Sequence, residues 1–315
     1  MTLSIDPEAT AGPPGDRERT ANRLLIASAR RSYDPELDLD WTAEEVPGGW
    51  HWVPERLSLY GTPMWDGLTQ EQKVTLSQQE AVSVASAGVF FEIVTLQLLA
   101  RYVAGRQATE RHAQYALTEL ADECRHITMF ARSVEWGGNP LHRPGLLTRV
   151  LSRGLAHTAW GPSLLAAILT AEDIMDMFNR DNMVDDRVQP MVRQVSRIHV
   201  VEEARHLQWA KEEVARQVEG MSRPALELHR AIIANATATV VRNLVNGAAY
   251  RKVGLSPWKA RRVARRNPHY QETLRWSASR AVAYLREVGL IGGPSELLWK
   301  RTGAALEEDR ADLRP

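Results

Sequence analysis

Two five-residue motifs constrain this chain more than anything else in it. Asp122-Glu123-Cys124-Arg125-His126 and Glu202-Glu203-Ala204-Arg205-His206 both contain Glu-x-x-His, preceded by an acidic residue. Each motif glutamate follows an isolated carboxylate on an apolar segment, Glu92 before Glu123 and Glu172 before Glu203. The separation is 31 residues in both cases. On a helix, residues three and four apart share a face. The glutamate and histidine of each motif therefore project together, and His199 adds a third group one turn before Glu203.

In an antiparallel helical hairpin, residues equidistant from the turn lie at one level. With the first turn near Arg106-Gln107, Glu92 is level with Glu123. Glu80 would be about three turns away at ~1.5 Å per residue, and is expected on the surface. The second hairpin repeats the pattern. Four carboxylates gathered inside a bundle need countercharge, since burying them unpaired is prohibitively costly. A Glu followed by Glu-x-x-His, twice over, is the ligand set of a carboxylate-bridged dimetal four-helix bundle. The expected ligands are Glu92, Glu123, His126, Glu172, His199, Glu203 and His206, and the same residues are the expected catalytic group. Oxygen-rich donors with some imidazole suit iron or manganese over zinc or copper. Two Fe ions are expected, with Mn an option at one position.

Asp122 and Glu202 are placed to accept the free ring N–H of a ligand histidine from the neighbouring helix. His199 reads as a third imidazole on one ion, or else as a buried structural histidine. Cys124 reads as a packing residue. Asp173 and Asp176 read either as polar surface or as part of the hydrogen-bonding surroundings of the centre.

The rest of the chain reads as all-α scaffold. Residues 1–20 are polar, contain Pro13-Pro14-Gly15, and are expected to form a disordered arm. Residues 34–68 are rich in Trp, Pro and Gly and form an irregular wrap whose Trp41, Trp50, Trp52 and Trp65 pack on the bundle. Thr69 to Gln72 is a capping box opening a helix over about 70–104. Further helices are expected over about 107–135, 144–156, 162–182 and from Pro190 to Gly220. Another runs from Ser222-Arg223-Pro224 to about 250, followed by a short basic helix from Ser256-Pro257 and one from Asn267-Pro268 to Gly289. The expected division is an arm over 1–20, a bundle domain over 21–250, and a helical extension over 251–315 packed on that domain.

Charged residues make up 25% of the chain at net zero, so nothing draws it toward nucleic acid or an anionic membrane. One cysteine rules out an internal disulfide framework and suits a reducing cytoplasm. Ala81 to Ala100 carries only Glu92 as a charge, and reads as a buried bundle helix rather than a membrane span. The basic run from Lys259 to Arg266 reads as a solvated face or as a contact for a carrier or redox partner.

With these residues in hand, the chain resembles the para-aminobenzoate N-oxygenase (AurF-like) family. Glu92, Glu123-x-x-His126, Glu172 and His199-x-x-x-Glu203-x-x-His206 match its pattern in order, over roughly residues 60–250. The resemblance implies a ferritin-like four-helix bundle core, a homodimer, and a non-haem di-iron monooxygenase. It further implies a small amine substrate, O2 and an external electron donor. An aryl amine would be carried to hydroxylamine or nitro product through a peroxo-diferric species. In that reading His126 serves one iron and His206 with His199 the other. Two alternatives stay open: hydroxylation or desaturation at a C–H bond, and a non-catalytic iron-handling protein.

Overall fold

The structure, a computed structural model, describes residues 16–304, and most of the arm expected over residues 1–20 lies outside them. The end of that stretch is helical. Asp16 caps α1 (Arg17–Arg30) by accepting from the backbone N–H groups of Glu18 and Arg19. A mostly polar composition hid this helix, because only a narrow stripe of it, Ala21, Leu24 and Ser28, is buried. Its anchor is polar as well. The Arg17 guanidinium grips both oxygens of buried Glu213, at 2.7 and 2.6 Å, beside the Tyr102 hydroxyl.

The wrap follows, with two one-turn helices, α2 (Pro35–Asp38) and α3 (Pro63–Asp66). Trp52 and Trp65 are buried, whereas Trp41 and Trp50 are half-buried. Trp52 meets Phe178 at 5.4 Å between ring centroids, which seats the wrap on the bundle. Among the described residues there is no strand, only an isolated bridge between Trp50 and Val188.

Four long helices form the core: α4 (Gln70–Ala104), α5 (Arg111–Trp136), α7 (Gly161–Val184) and α8 (Pro190–Val218), with α6 (Leu146–Thr158) between the two pairs. The Thr69–Gln72 capping box opens α4 as expected. α4 with α5 and α7 with α8 are antiparallel hairpins, joined where α5 meets α8. Beyond them lie α9 (Arg223–Asn243), α10 (Gly247–Lys252), α11 (Pro257–Arg266), α12 (Pro268–Glu287) and α13 (Glu296–Lys300). The single helix expected to reach about 250 is two, because α9 ends at Asn243 and Asn246 caps α10 by accepting from the Ala248 N–H.

α7 is packed by α4, α8, α9 and α12, which is why it is apolar nearly all round. α4 is long and apolar enough to cross a membrane, and 67% of its most apolar window is buried in the protein. Glu80 on α4 is not on the surface. It is 3% exposed and accepts from the Ser58 backbone N–H at 3.0 Å and the Ser58 hydroxyl. Hairpin geometry correctly separates Glu80 from the centre but takes no account of the wrap, whose Leu57–Tyr60 segment covers this part of α4. Cys124 does not pack in the core either. It is exposed, since Glu123 and His126 turn inward and the residue between them turns out.

Candidate metal centre

The seven expected ligands converge between α4, α5, α7 and α8, and all are at most 3% exposed. Their donor atoms fall into overlapping groups within 4.8 Å: Glu92 with His126 and His199, Glu123 with His126 and Glu203, Glu172 with His199 and Glu203, and Glu92 with Glu123 and Glu172. A fifth group contains a residue that the sequence reading did not single out, in which Glu119 joins Glu123 and His206. The signal for it was the i, i+4 spacing of Glu119 and Glu123, the same spacing that drew attention to His199.

The two Glu-x-x-His motifs are held alike. His126 directs Nδ1 at Glu123 Oε2, 3.0 Å, and Nε2 at Glu202 Oε2, 3.0 Å. His206 directs Nδ1 at Glu203 Oε1, 3.0 Å, and Nε2 at Asp122 Oδ2, 3.2 Å. Each histidine thus turns one nitrogen to the centre and gives the other to the acidic residue of the opposite motif. That is the cross-helix role expected of Asp122 and Glu202, and it fixes ring orientation and raises ligand basicity.

His199 stands beside both halves, its ring nitrogens grouping with Glu92 and His126 and also with Glu172 and Glu203. Its ring stands 4.9 Å from that of His126, and no group within 4.8 Å holds both His199 and His206. The reason is that α5 and α8 run antiparallel. Moving from Glu123 to His126 on one helix is the same direction as moving from Glu203 back to His199 on the other. His199 Nε2 faces Glu203 Oε1 and Glu92 Oε1 at 3.7 and 3.8 Å, and Nδ1 meets the Asn179 side-chain amide at 3.1 Å. Ser196 hydrogen-bonds the same amide. Asp173 and Asp176 belong to the surroundings and not the surface: both are fully buried and both take the Arg280 guanidinium of α12.

Burial, then the charges of Glu123, Glu172 and Glu203, hold Glu92 well above the usual carboxylate range. Burial with Glu203 and Glu123 does the same to Glu172. Burial also pushes Glu123 up, but hydrogen bonds from His126 and His206 outweigh it and bring it down to about 2. His126 and His206 are raised well above the imidazole range because their carboxylate partners overcome burial. Burial keeps His199 low and neutral. Ligation by cations displaces protons from such groups. Three inward-facing atoms have no hydrogen-bond partner: Glu92 Oε2, Glu203 Oε2 and His199 Nε2. Unpartnered buried donors and acceptors are costly, and the site is composed to hold a pair of ions through carboxylate oxygen and imidazole nitrogen.

A cleft enclosing about 570 Å³, open mouth included, lies beside the His199 side of the centre. Its walls are largely apolar and include Trp52, Val84, Phe130, Met175 and Asn179. Phe130 reaches His199, 5.0 Å between ring centroids. Gly88 permits this close approach of α4, since a Cβ there would stand 3.2 Å from Met175 Cε and 3.7 Å from the Phe130 ring.

Such a bundle, with two carboxylate–histidine half-sites facing each other, defines the ferritin-like dimetal class. The chain belongs to the P-aminobenzoate N-oxygenase AurF family, which it matches over residues 14–289. Uncharacterized proteins of Mycobacterium tuberculosis and Mycobacterium bovis are each 26% identical to it over 209 residues, 64% of this chain and 61% of theirs. The chain therefore spans about three fifths of the length of these curated relatives. Among solved structures it is similar to a tyrosine-to-phenylalanine mutant of an R2-like ligand-binding oxidase with a Mn/Fe cofactor. There the TM-score is 0.54 at 13% identity, covering 88% of this chain and 94% of that one. A glycine-to-leucine mutant with an Fe/Fe cofactor gives 0.52 at 12% identity over the same shares. At these identities the likeness is one of fold.

Proposed function

We propose that this chain is an O2-dependent monooxygenase that oxidises the nitrogen of a neutral, largely apolar amine. Glu92, Glu123, His126, Glu172, His199, Glu203 and His206 would hold two ions, iron in at least one position. The bound pair would supply the activation of dioxygen. Each cycle places one oxygen atom on nitrogen and reduces the other to water, consuming two electrons and two protons from an external donor. The chain's own part is to hold the ions in fixed geometry, keep water out, and present the amine lone pair toward His199 and Phe130.

The observation that carries this reading is the cleft. Asn179, which hydrogen-bonds His199, and Phe130, whose ring stands 5.0 Å from that of His199, are in its wall, and no Lys, Arg, Asp or Glu lines it. His51 in its wall is pushed down to about 4 by burial and is neutral at pH 7. A free aminobenzoate would bury its carboxylate there without a cationic partner, at a cost of several kcal/mol. An uncharged aryl amine, or one whose acid group is masked as an ester or amide, meets no such penalty. Because the same walls suit an apolar C–H substrate, product analysis separates nitrogen from carbon oxidation.

The test is stopped-flow absorption of anaerobic, Fe(II)-loaded protein mixed with O2, with iron counted per chain. The expected result is two irons and a transient visible band that decays faster when a neutral aryl amine is present. Oxidation with no transient and no amine effect points to iron handling instead, and failure to take up two ions sinks the reading. A homodimer is part of the proposal. Leu146, Leu147, Val150 and Leu151 on α6 are 50–70% exposed and form one apolar stripe. Gel filtration should give about twice 35.4 kDa.

A further inference from the structure

The centre has an approximate twofold arrangement in which every group of one half has a counterpart in the other: Glu92 and Glu172, Glu123 and Glu203, His126 and His206, Asp122 and Glu202. One turn before Glu203 stands His199. One turn before Glu123 stands Glu119. Because α5 and α8 are antiparallel, His199 comes level with His126, and Glu119 comes level with His206.

Glu119 is fully buried, and neither of its oxygens has a hydrogen-bond partner. It offers an oxygen within 4.8 Å of donor atoms of both Glu123 and His206. A neutral carboxylic acid would not remove the difficulty, since its hydroxyl and carbonyl would each still lack a partner. Tyr115, one turn earlier, is also buried with an unpartnered hydroxyl, so it does not satisfy Glu119. Nor does Glu119 line the substrate cleft, which approaches the centre from the Phe130 and Asn179 side. A buried, unpartnered oxygen pair beside a ligand set is built for a cation.

We propose that Glu119 is an eighth ligand, closing the end of the dimetal centre beside His206. This rests on the dimetal reading above. The two ions then differ in kind. The end beside His206 gains an added carboxylate that the end beside His126 lacks. Harder, more oxygen-seeking ions such as Mn(II) are favoured at the carboxylate-rich end, and ions with more affinity for nitrogen at the other.

The test is anaerobic titration of metal-free protein with Fe(II), and separately with Mn(II), followed by chelator competition and by Mn(II) electron paramagnetic resonance. Glu119→Gln keeps the size and removes the charge. Its expected result is one ion bound as in the wild type and the other weakened about tenfold or more, at least the loss typical of a disturbed metal surrounding. Glu119→His supplies a ligand nitrogen at the same place, and it should restore two-ion Fe(II) binding while Mn(II) retention falls. Thermal unfolding of the metal-free variants guards against misfolding: removal of an unpartnered carboxylate should leave the melting temperature equal or higher. Two ions bound by Glu119→Gln with wild-type affinity and an unchanged Mn(II) spectrum would overturn the eighth ligand alone. A wild-type protein that takes up no pair of ions would overturn the dimetal reading, and this proposal with it.

Discussion

α5 and α8 carry almost the same pentapeptide, Asp122-Glu123-Cys124-Arg125-His126 and Glu202-Glu203-Ala204-Arg205-His206, yet they build unequal halves of one centre. Within the motifs the geometry is nearly interchangeable. Each histidine sits 3.0 Å from its own glutamate and 3.0–3.2 Å from the acidic residue of the other helix. The inequality comes from outside the motifs. One turn upstream α8 has His199 and α5 has Glu119, and the Asn179 amide and Phe130 ring attend only the His199 end. A repeated motif therefore specifies that two ions are held. If Glu119 binds as proposed, the residues one turn away specify how the ions differ.

The largest effects should come from the groups shared by both halves. Glu123→Ala and Glu203→Ala are each expected to bring metal content below two ions per chain. Each should lower oxygenase turnover by more than about a hundredfold, beyond the range for residues that only touch a ligand. Metal analysis after gel filtration, with turnover measured alongside, checks this. If one variant retains both ions while the other loses them, the halves are not equivalent even inside the motifs.

Glu80 provides a contrast, as a buried carboxylate away from the metal donors. Burial pushes it up to about 7 despite its Ser58 hydrogen bonds. A raised carboxyl favours the protonated form in the fold. Its contribution to stability is fully present below the unfolded value of about 4.5, declines as pH rises, and is lost above about 7. At ~1.4 kcal/mol per unit, the wild type should give up on the order of 3 kcal/mol across that window. Glu80→Gln should match wild type at pH 4.5 and exceed its stability at pH 8, read by denaturant unfolding of metal-free protein. An equal difference at both pH values would refute the assignment.

The arginines of the two motifs test the surroundings. The Arg205 side chain is 10% exposed and lies 3.8 Å from both Asp122 and Glu202, whereas that of Arg125 is 32% exposed and pairs with Asp122 alone. Removing the buried cation leaves two buried carboxylates less compensated, so Arg205→Ala should cost about 2–3 kcal/mol. Arg125→Ala, screened by solvent, should cost about 1 kcal/mol or less. Equal losses would show that position in the motif matters more than burial. Next come the cross-helix acids. Asp122→Asn and Glu202→Gln should each weaken binding of one ion by about 10- to 100-fold, and by similar factors, since each holds one histidine by one hydrogen bond.

The main helices and the ligand set were legible because their signals are local. The 31-residue spacings set the level of Glu92 and Glu172, the Thr69–Gln72 box opens α4, and the i, i+4, i+7 run places His199, Glu203 and His206. What escaped depended on distant chain. Glu80 is buried by the wrap, and α1 is fixed by an ion pair spanning 196 residues, from Arg17 to Glu213. The closeness of the His199 and His126 rings follows from the antiparallel α5–α8 contact, which no single-helix period encodes. Glu119 is a different case, since its spacing to Glu123 is local. It was hidden because a lone glutamate outside the expected pattern looks like any surface charge.

The smallest effect should fall at the one motif position where the helices differ most plainly in chemistry. Cys124 and Ala204 occupy the same place, between the glutamate and the arginine, and both are exposed. An outward side chain at that position touches neither ions nor core, so Cys124→Ser should change stability by no more than about 0.5 kcal/mol and leave two-ion binding intact. Alkylation of Cys124 in the folded, metal-loaded protein should be rapid and equally silent. A clear loss of metal on alkylation would mean that the outer face of α5 is coupled to the centre, a coupling for which Ala204 provides no counterpart on α8.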